Sequence, residues 1–104
     1  LLASSAASDV YKRQPVFLTA DFNSDTDESC FNPLHQVMKD ARATAPVTDQ
    51  EATYNGYKTS GTRKLDHIFY DNGCVASIFQ TLKENYGAPY ISDHYPVRTC
   101  FVLF

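Results

Sequence analysis

The sequence is poor in several residue types that mark particular classes of protein. Its 104 residues include no tryptophan, one methionine and four glycines, and no apolar run is long enough to span a bilayer. The three cysteines are widely spaced, without a CxxC pair or a Cys/His cluster of zinc spacing, so neither a disulfide framework nor a zinc site is predicted. Basic residues do not dominate either. Because the net charge is −3, binding to nucleic acid would require a local basic patch or a metal.

The residues that are present are those of an ordinary globular domain. Hydrophobic residues make up 43% of the chain and charged residues 20%, with both signs mixed. A chain of this length forms one small domain at most and buries roughly two thirds of its unfolded surface.

The first fourteen residues differ from the rest. They are rich in alanine and serine and show no clear period of either two or 3.6 residues, and a dense apolar run begins directly after them at Pro15. The stretch SSAASDVYKRQ resembles a translated sequencing adaptor, so residues 1–14 are predicted to be a non-native leader and residues 15–104 the domain. On this interpretation the natural N-terminal part is missing. The alternative is a native helix of low stability.

From Pro15 onward the pattern predicts a strand, a helix and three more strands. The run PVFLTA suits a short buried strand. Residues 24–43 carry apolar side chains at spacings of three and four, which predicts an amphipathic helix whose main part begins at Asn32, before Pro33. The buried stripe of this helix would consist of Phe31, Leu34, Val37, Met38 and Ala41.

The second half of the chain predicts a long loop and then strands. Residues 43–63 are loop-like, and KLDHIFY, CVASIFQTL and YPVRTCFVLF are three strand candidates. The predicted fold class is therefore α/β, in layers, with a mixed or antiparallel sheet and an outer helix.

Polar side chains recur at the ends of these strands, namely Asp21, Asn23, Asp66, Asp93 and His94. In KLDHIFY, Asp66 shares its face with Ile68, and a carboxylate among apolar groups needs a partner. His94 is the obvious candidate, and a carboxylate that accepts from an imidazole favours its charged form. Each motif alone has a plainer interpretation: an Asx-rich turn around Asp21, an exposed Asp66, or a turn capped by Ser92 and Asp93.

Other polar and aromatic residues are expected to serve structure. His35 is predicted to lie solvated at a rim, and His67, on the face opposite Asp66, to pack. Four tyrosines are expected at the core or rim, although a base or sugar could stack on them: Tyr54, Tyr57, Tyr86 and Tyr90.

In order, the three motifs ADFN, KLDHIF and SDHYPV resemble the C-terminal half of the endonuclease/exonuclease/phosphatase superfamily, the DNase I-like metal-dependent phosphodiesterases. The resemblance covers residues 15–104. The family's G-D-x-N is met at Asp21 and Asn23, with Ala20 replacing the glycine, and its S-D-H motif is met without departure at residues 92–94. The implied fold is the C-terminal part of a four-layer α/β sandwich.

The resemblance also implies roles. His94, oriented by Asp66, would contact the scissile phosphate and stabilise its negative charge. Asp21 would orient or deprotonate the attacking water and bind metal, Asn23 would hold the phosphate, and Asp93 would bind or organise the metal. The implied cofactor is Mg²⁺, with Mn²⁺ as an alternative.

The implied function is hydrolysis of phosphodiester or phosphomonoester bonds by water, in nucleic acid, phospholipid head groups or sugar phosphates. The family's N-terminal half supplies a metal-binding Glu, so the 104-residue chain alone is expected to be inactive or barely active, and to expose apolar sheet surface and strand edges. Two alternatives stay open. One is a catalytically inactive α/β binding module of the same fold, and the other is an unrelated α/β domain with Asx turns and a buried Asp–His pair.

Overall fold

The structure is a computed structural model that describes residues 14–58 and 61–104. The predicted leader lies outside the described residues except for Gln14. Within the described ranges the strands are β1 (Phe17–Asp21), β2 (Lys39–Asp40), β3 (Asp66–Tyr70), β4 (Cys74–Thr81) and β5 (Val97–Leu103). All pair antiparallel, in one sheet of order β1-β3-β2 and a second of order β4-β5. The predicted α/β class with antiparallel sheets is confirmed, and all four predicted strands lie within a few residues of their predicted bounds.

A helical turn gives way to a helix at Asn32, as predicted, but the predicted length of the amphipathic helix, to residue 43, is wrong. The segment instead forms a 3-10 turn (Ser29–Phe31), a short helix α1 (Asn32–His35), the extended pair β2, and a second short helix α2 (Ala41–Thr44). The helix breaks because the backbone of β2 pairs with β3, after which Asp40 caps α2 by accepting from the backbone N–H of Arg42. Val37, assigned to the buried stripe, is 70% exposed. Pro33 does lie in the first turn of α1, as predicted.

The predicted burial of the first strand is also wrong. Every residue of β1 is exposed, because β1 is an edge strand that pairs only with β3 within the described chain. Phe17 is still 44% exposed, although its ring lies 4.7 Å from that of Phe101 in the second sheet. The expectation of exposed apolar sheet surface and strand edges is therefore confirmed.

The central strand β3 is buried on both faces. On one face, His67 and Phe69 pack against the rings of Phe22 and Phe31. On the other face, Ile68 and Tyr70 belong to the core between the two sheets, completed by α2 and β4. Because side chains alternate along a strand, Asp66, at the start of β3, lies on the same face as Ile68 and Tyr70.

Among the described residues, no helix has the length and apolar character needed to cross a membrane.

Candidate functional site

Two carboxylates face each other where β1 ends and β3 begins. Asp21, the last residue of β1, is the register partner of Asp66, the first residue of β3. Like charges directly opposite in an antiparallel pair are destabilising, so this position calls for a cation or a shared proton. The position of Asp21 follows from Phe22, whose ring packs under β3 and anchors the strand end.

His94 supplies the compensating group. Its Nδ1 lies 2.7 Å from Asp66 Oδ2, and its Nε2 lies 3.6 Å from Asp21 Oδ2. Because a carboxylate only accepts, Nδ1 carries a hydrogen and donates it to Asp66. The predicted Asp66–His94 pair is therefore present, and the imidazole lies between the two acids.

The surroundings of His94 favour its charged form. The hydrogen bond to Asp66 raises the pKa of His94 most, burial opposes this, and the negative charges of Asp66, Asp21 and Asp93 raise it further. The net direction is upward from the ordinary value of 6.5. The charge of the imidazolium contributes stability that is complete below that value and is lost as pH rises through the folded pKa.

Asn23 is held beside this group by a local turn. Its backbone N–H donates to Asp21 Oδ1 at 2.9 Å, which is the Asx turn of the plainer interpretation, and its φ is +54°. The turn and the acid cluster therefore coexist, because Oδ1 of Asp21 serves the turn while Oδ2 faces His94. Asparagine tolerates this left-handed backbone better than most residues.

Asp93 is not brought into the cluster. The ligand atoms that lie within 4.8 Å of one another, among the described residues, come from Asp21, Asp66 and His94. The carboxylate of Asp93 instead lies 3.5 Å from Ser92 Oγ, and its backbone carbonyl accepts from the N–H of Asn55.

A buried polar segment that the sequence reasoning missed holds the two halves of the site together. Thr53 is fully buried, and its hydroxyl accepts the backbone N–H groups of Leu65 at 2.8 Å and Asp66 at 3.1 Å. Its carbonyl accepts from Tyr95 N at 2.7 Å, so one residue ties the start of β3 to the residue that follows His94.

Asn55 adds a second tie, because its side-chain amide donates to the carbonyl of Ser92 at 2.9 Å. Between these residues, the ring of Tyr54 lies edge-on to His94 with centroids 5.2 Å apart. The only signal in the sequence was the run T-Y-N inside a predicted loop.

The other histidines have the structural roles expected of them. His67 is buried among aromatic rings, and its Nε2 lies 2.7 Å from the carbonyl of Ser24. His35 is exposed, with its Nε2 2.9 Å from the carbonyl of Thr26.

Asp66 and His94 line an open cleft of about 470 Å³ between the ends of the two sheets. The cleft gives the cluster access to a small molecule. The cationic imidazole can bind an anionic oxygen there, and a carboxylate such as Asp21, 41% exposed, is free to accept a proton or a hard cation.

The donor set fits a magnesium-type ion in part. Mg²⁺ is usually bound through one or two carboxylates together with substrate phosphates, and Asp21 offers one exposed carboxylate oxygen. Asp66 is less available, because its Oδ2 accepts the hydrogen bond from His94. A charged His94 cannot act as a ligand, so the cluster suits an ion held on the Asp21 side.

Comparison with known proteins identifies the fold. No family model matches the sequence, and no curated protein does. Solved structures do match. A mannosyl-6-phosphatase from Bacteroides thetaiotaomicron is 21% identical with a TM-score of 0.74, over 98% of this chain and 43% of that protein.

Two structural-genomics proteins described as endonuclease/exonuclease/phosphatase family members are similar too. The one from Bacteroides thetaiotaomicron is 20% identical with a TM-score of 0.74, and the one from Bacteroides vulgatus is 24% identical with a TM-score of 0.77. In each comparison, 99% of this chain aligns with 42% of the other protein. The coverage of 42% is consistent with the predicted half domain. The chain thus has the fold of these endonuclease/exonuclease/phosphatase structures, over about two fifths of their length.

Proposed function

We propose that these residues form part of a divalent-metal-dependent hydrolase that cleaves phosphate esters by attack of water. The observation that carries the proposal is the position of His94, whose imidazole lies between Asp66 and Asp21 at the wall of an open cleft. That the fold is shared with a mannosyl-6-phosphatase supports a phosphatase or phosphodiesterase reaction over other chemistry.

We assign the following roles, and the contacts support them in part. His94, kept charged and oriented by Asp66, binds a phosphoryl oxygen and stabilises the negative charge that grows on it. Asp21 orients the attacking water or accepts its proton. Asn23, whose backbone N–H donates to Asp21, would hold the phosphate.

The reaction balances without another reactant. The water oxygen forms a bond to phosphorus while the bond from phosphorus to the ester oxygen breaks. The proton lost by the attacking water goes to Asp21, the leaving oxygen takes a proton from solvent water to become an alcohol, and Asp21 returns its proton to the solvent.

Mg²⁺, or Mn²⁺ in its place, is the proposed cofactor, with Asp21 as a ligand. When bound, the ion supplies Lewis-acid polarisation of a phosphoryl oxygen. Asp93 remains a proposed contributor to this ion, although its carboxylate lies beside Ser92 rather than in the cluster.

Because the chain spans only 41–43% of the similar structures, activity is proposed for the whole protein. We expect the isolated 104-residue chain to be inactive or barely active. The assay is hydrolysis of bis-p-nitrophenyl phosphate with magnesium, and turnover by this chain that His94→Ala abolishes would contradict that expectation.

The proposed function itself is tested on the whole protein. We expect phosphate-ester hydrolysis that EDTA abolishes and that Mg²⁺ or Mn²⁺ restores. A protein that binds Mg²⁺ or phosphate but turns over neither monoesters nor diesters would instead be the inactive binding module.

A further inference from the structure

A second cleft adjoins the proposed catalytic one. It encloses about 380 Å³, a size suited to a small ligand, and is formed by the chain from Leu82 to Pro96. Both clefts share the residues Ser92 to Pro96 apart from Asp93, so His94 lies in the wall between them. A phosphate bound at His94 would therefore extend its ester group into the second cleft.

Three tyrosines line this cleft beside the apolar residues Leu82, Pro89, Ile91 and Pro96. Tyr86, Tyr90 and Tyr95 all line it, and no hydrogen bond within the described residues uses their hydroxyl groups. The ring of Tyr90 is supported edge-on by Tyr57, with centroids 6.3 Å apart. The cleft thus offers aromatic faces together with hydroxyls that can both donate and accept.

The backbone holds one of these tyrosines in an unfavourable conformation. Tyr86 has a φ of +53°, and the residue is 84% exposed. Its backbone N–H donates to Glu84 Oε1 at 3.1 Å, and the following Gly87 also has a positive φ. A left-handed conformation of a bulky residue is strained, and such strain concentrates at ligand-binding positions.

Charged side chains also line this cleft. Lys83 Nζ lies 3.2 Å from Glu51 Oε2, and Glu84 accepts from the backbone N–H groups of Asn85 and Tyr86. The imidazole of His94 lies in the shared wall, at the end where a ligand phosphate would bind. The side-chain oxygen of Asn85 is occupied, since it accepts from Gly87 N.

These features select among ester groups. An acyl chain would leave the hydroxyls of the partly buried Tyr90 and Tyr95 without partners, which is costly. A nucleobase would stack, but the one side-chain amide in the described lining has only its NH2 free, at Asn85, and a polynucleotide would find no basic patch there. A sugar ring presents both an apolar C–H face and hydroxyls that donate and accept.

We propose that the cleft lined by Tyr86, Tyr90 and Tyr95 binds a sugar ring, the neutral leaving group of a phosphate ester whose phosphate lies at His94. The inference rests on the proposed function, and it narrows the substrate class to sugar phosphates.

The test compares two kinds of ester on the whole protein by phosphate release. One kind is the 6-phosphates of glucose, mannose and galactose, and the other is n-propyl phosphate, which has no ring. We expect Tyr90→Ala to lower the ratio of kcat/KM for the best sugar ester to that for the propyl ester about tenfold, mainly through KM. Tyr90→Phe, which keeps the ring, should lower this ratio less than Tyr90→Ala does.

Phe104→Ala is the matched control, since this aromatic is 86% exposed at the opposite end of β5, and it should leave the ratio unchanged. Equal loss for both kinds of ester in Tyr90→Ala, or no loss, would overturn the sugar site. Binding of the three sugar phosphates, followed by NMR titration of wild type and Tyr90→Ala, needs no turnover. Binding that weakens in the variant supports the site even if the protein hydrolyses nothing, whereas absence of binding overturns it.

Discussion

At the scale of single residues, the site depends on the charge of one imidazole. Asp66 and Asp21 are cross-strand neighbours, and His94 is the only basic group in the cluster they form within the described chain. Removing the carboxylate of Asp66, which accepts from Nδ1, should therefore affect both the protonation and the orientation of the His94 ring.

We expect Asp66→Asn to lower the pKa of His94 and to reduce kcat/KM of the whole protein roughly 10²–10⁴-fold. An amide cannot stabilise the imidazolium as a carboxylate does. The pKa is measured by NMR titration of the imidazole, and the activity with bis-p-nitrophenyl phosphate. Asp27→Asn, at an exposed position, is the control, and equal activity of the two variants would contradict the role of Asp66.

A second prediction concerns the buried hydroxyl that accepts two backbone N–H groups. Thr53→Val keeps the shape but leaves the N–H groups of Leu65 and Asp66 without an acceptor, so we expect a loss of about 2–4 kcal/mol in the free energy of unfolding. Thr53→Ser keeps the hydroxyl and should cost less than about 1.5 kcal/mol. Urea unfolding measures both, and equal losses would show that the hydroxyl is unimportant.

Individual residues of the site could be predicted where their side chains conflict with a simple strand. Asp66 and His94 could be paired from sequence because a carboxylate on an apolar face needs a partner. Thr53 and Asn55 could not, because they act through backbone groups of residues 12 and 37 positions away, and a loop sequence carries no record of those bonds.

At the scale of elements, the strands were predictable and the helix was not. Runs rich in β-branched and aromatic residues predict β3 and β4 within a few residues. In residues 24–43, strand pairing with β3 overrides the helical periodicity of the sequence. Lys39 and Asp40 pair with Tyr70 and Phe69 of β3 in an antiparallel ladder. No local sequence pattern indicates this long-range pairing.

Asp49 connects the loop after α2 to the end of β4. Its carboxylate accepts from Thr81 N at 2.7 Å, from Thr81 Oγ1 at 2.9 Å and from Arg42 NH1 at 3.1 Å. Burial raises the pKa of Asp49, but the hydrogen bonds from the backbone N–H groups of Thr81 and Glu51 and the charge of Arg42 outweigh it, so the pKa lies below the ordinary 3.8.

This lowered pKa predicts a pH dependence of stability. The contribution of ionised Asp49 is complete well above 3.8 and is lost as pH falls through the lower folded pKa. The free energy of unfolding of wild type should therefore exceed that of Asp49→Asn by a constant amount above about pH 5 and by a shrinking amount below it. Urea unfolding from neutral to acidic pH measures this, and a difference that does not shrink in acid would contradict it.

At the scale of the whole molecule, the strand β1 presents an open edge with exposed apolar side chains. In β1, Phe17 and Leu18 are 44% and 38% exposed, next to Val16 at 52%, and β1 has a pairing partner on one side only within the described chain. Exposed apolar edge strands template association with other strands.

We expect the 104-residue chain to self-associate, and Leu18→Lys to reduce this association by placing a charge on the edge. Val37→Lys introduces the same charge at a position that is 70% exposed but outside the sheets, and should have a smaller effect. Sedimentation velocity at increasing concentration distinguishes them. A wild-type chain that stays monomeric would contradict the expectation.

The most direct test of the proposed hydrolase is the effect of one histidine on turnover by the whole protein. Hydrolysis of bis-p-nitrophenyl phosphate with Mg²⁺ is compared for wild type, His94→Ala and His35→Ala, the last being an exposed histidine away from the cluster. The account predicts that His94→Ala lowers kcat/KM by at least about 10²-fold while His35→Ala changes it little. Equal activity of wild type and His94→Ala would contradict it.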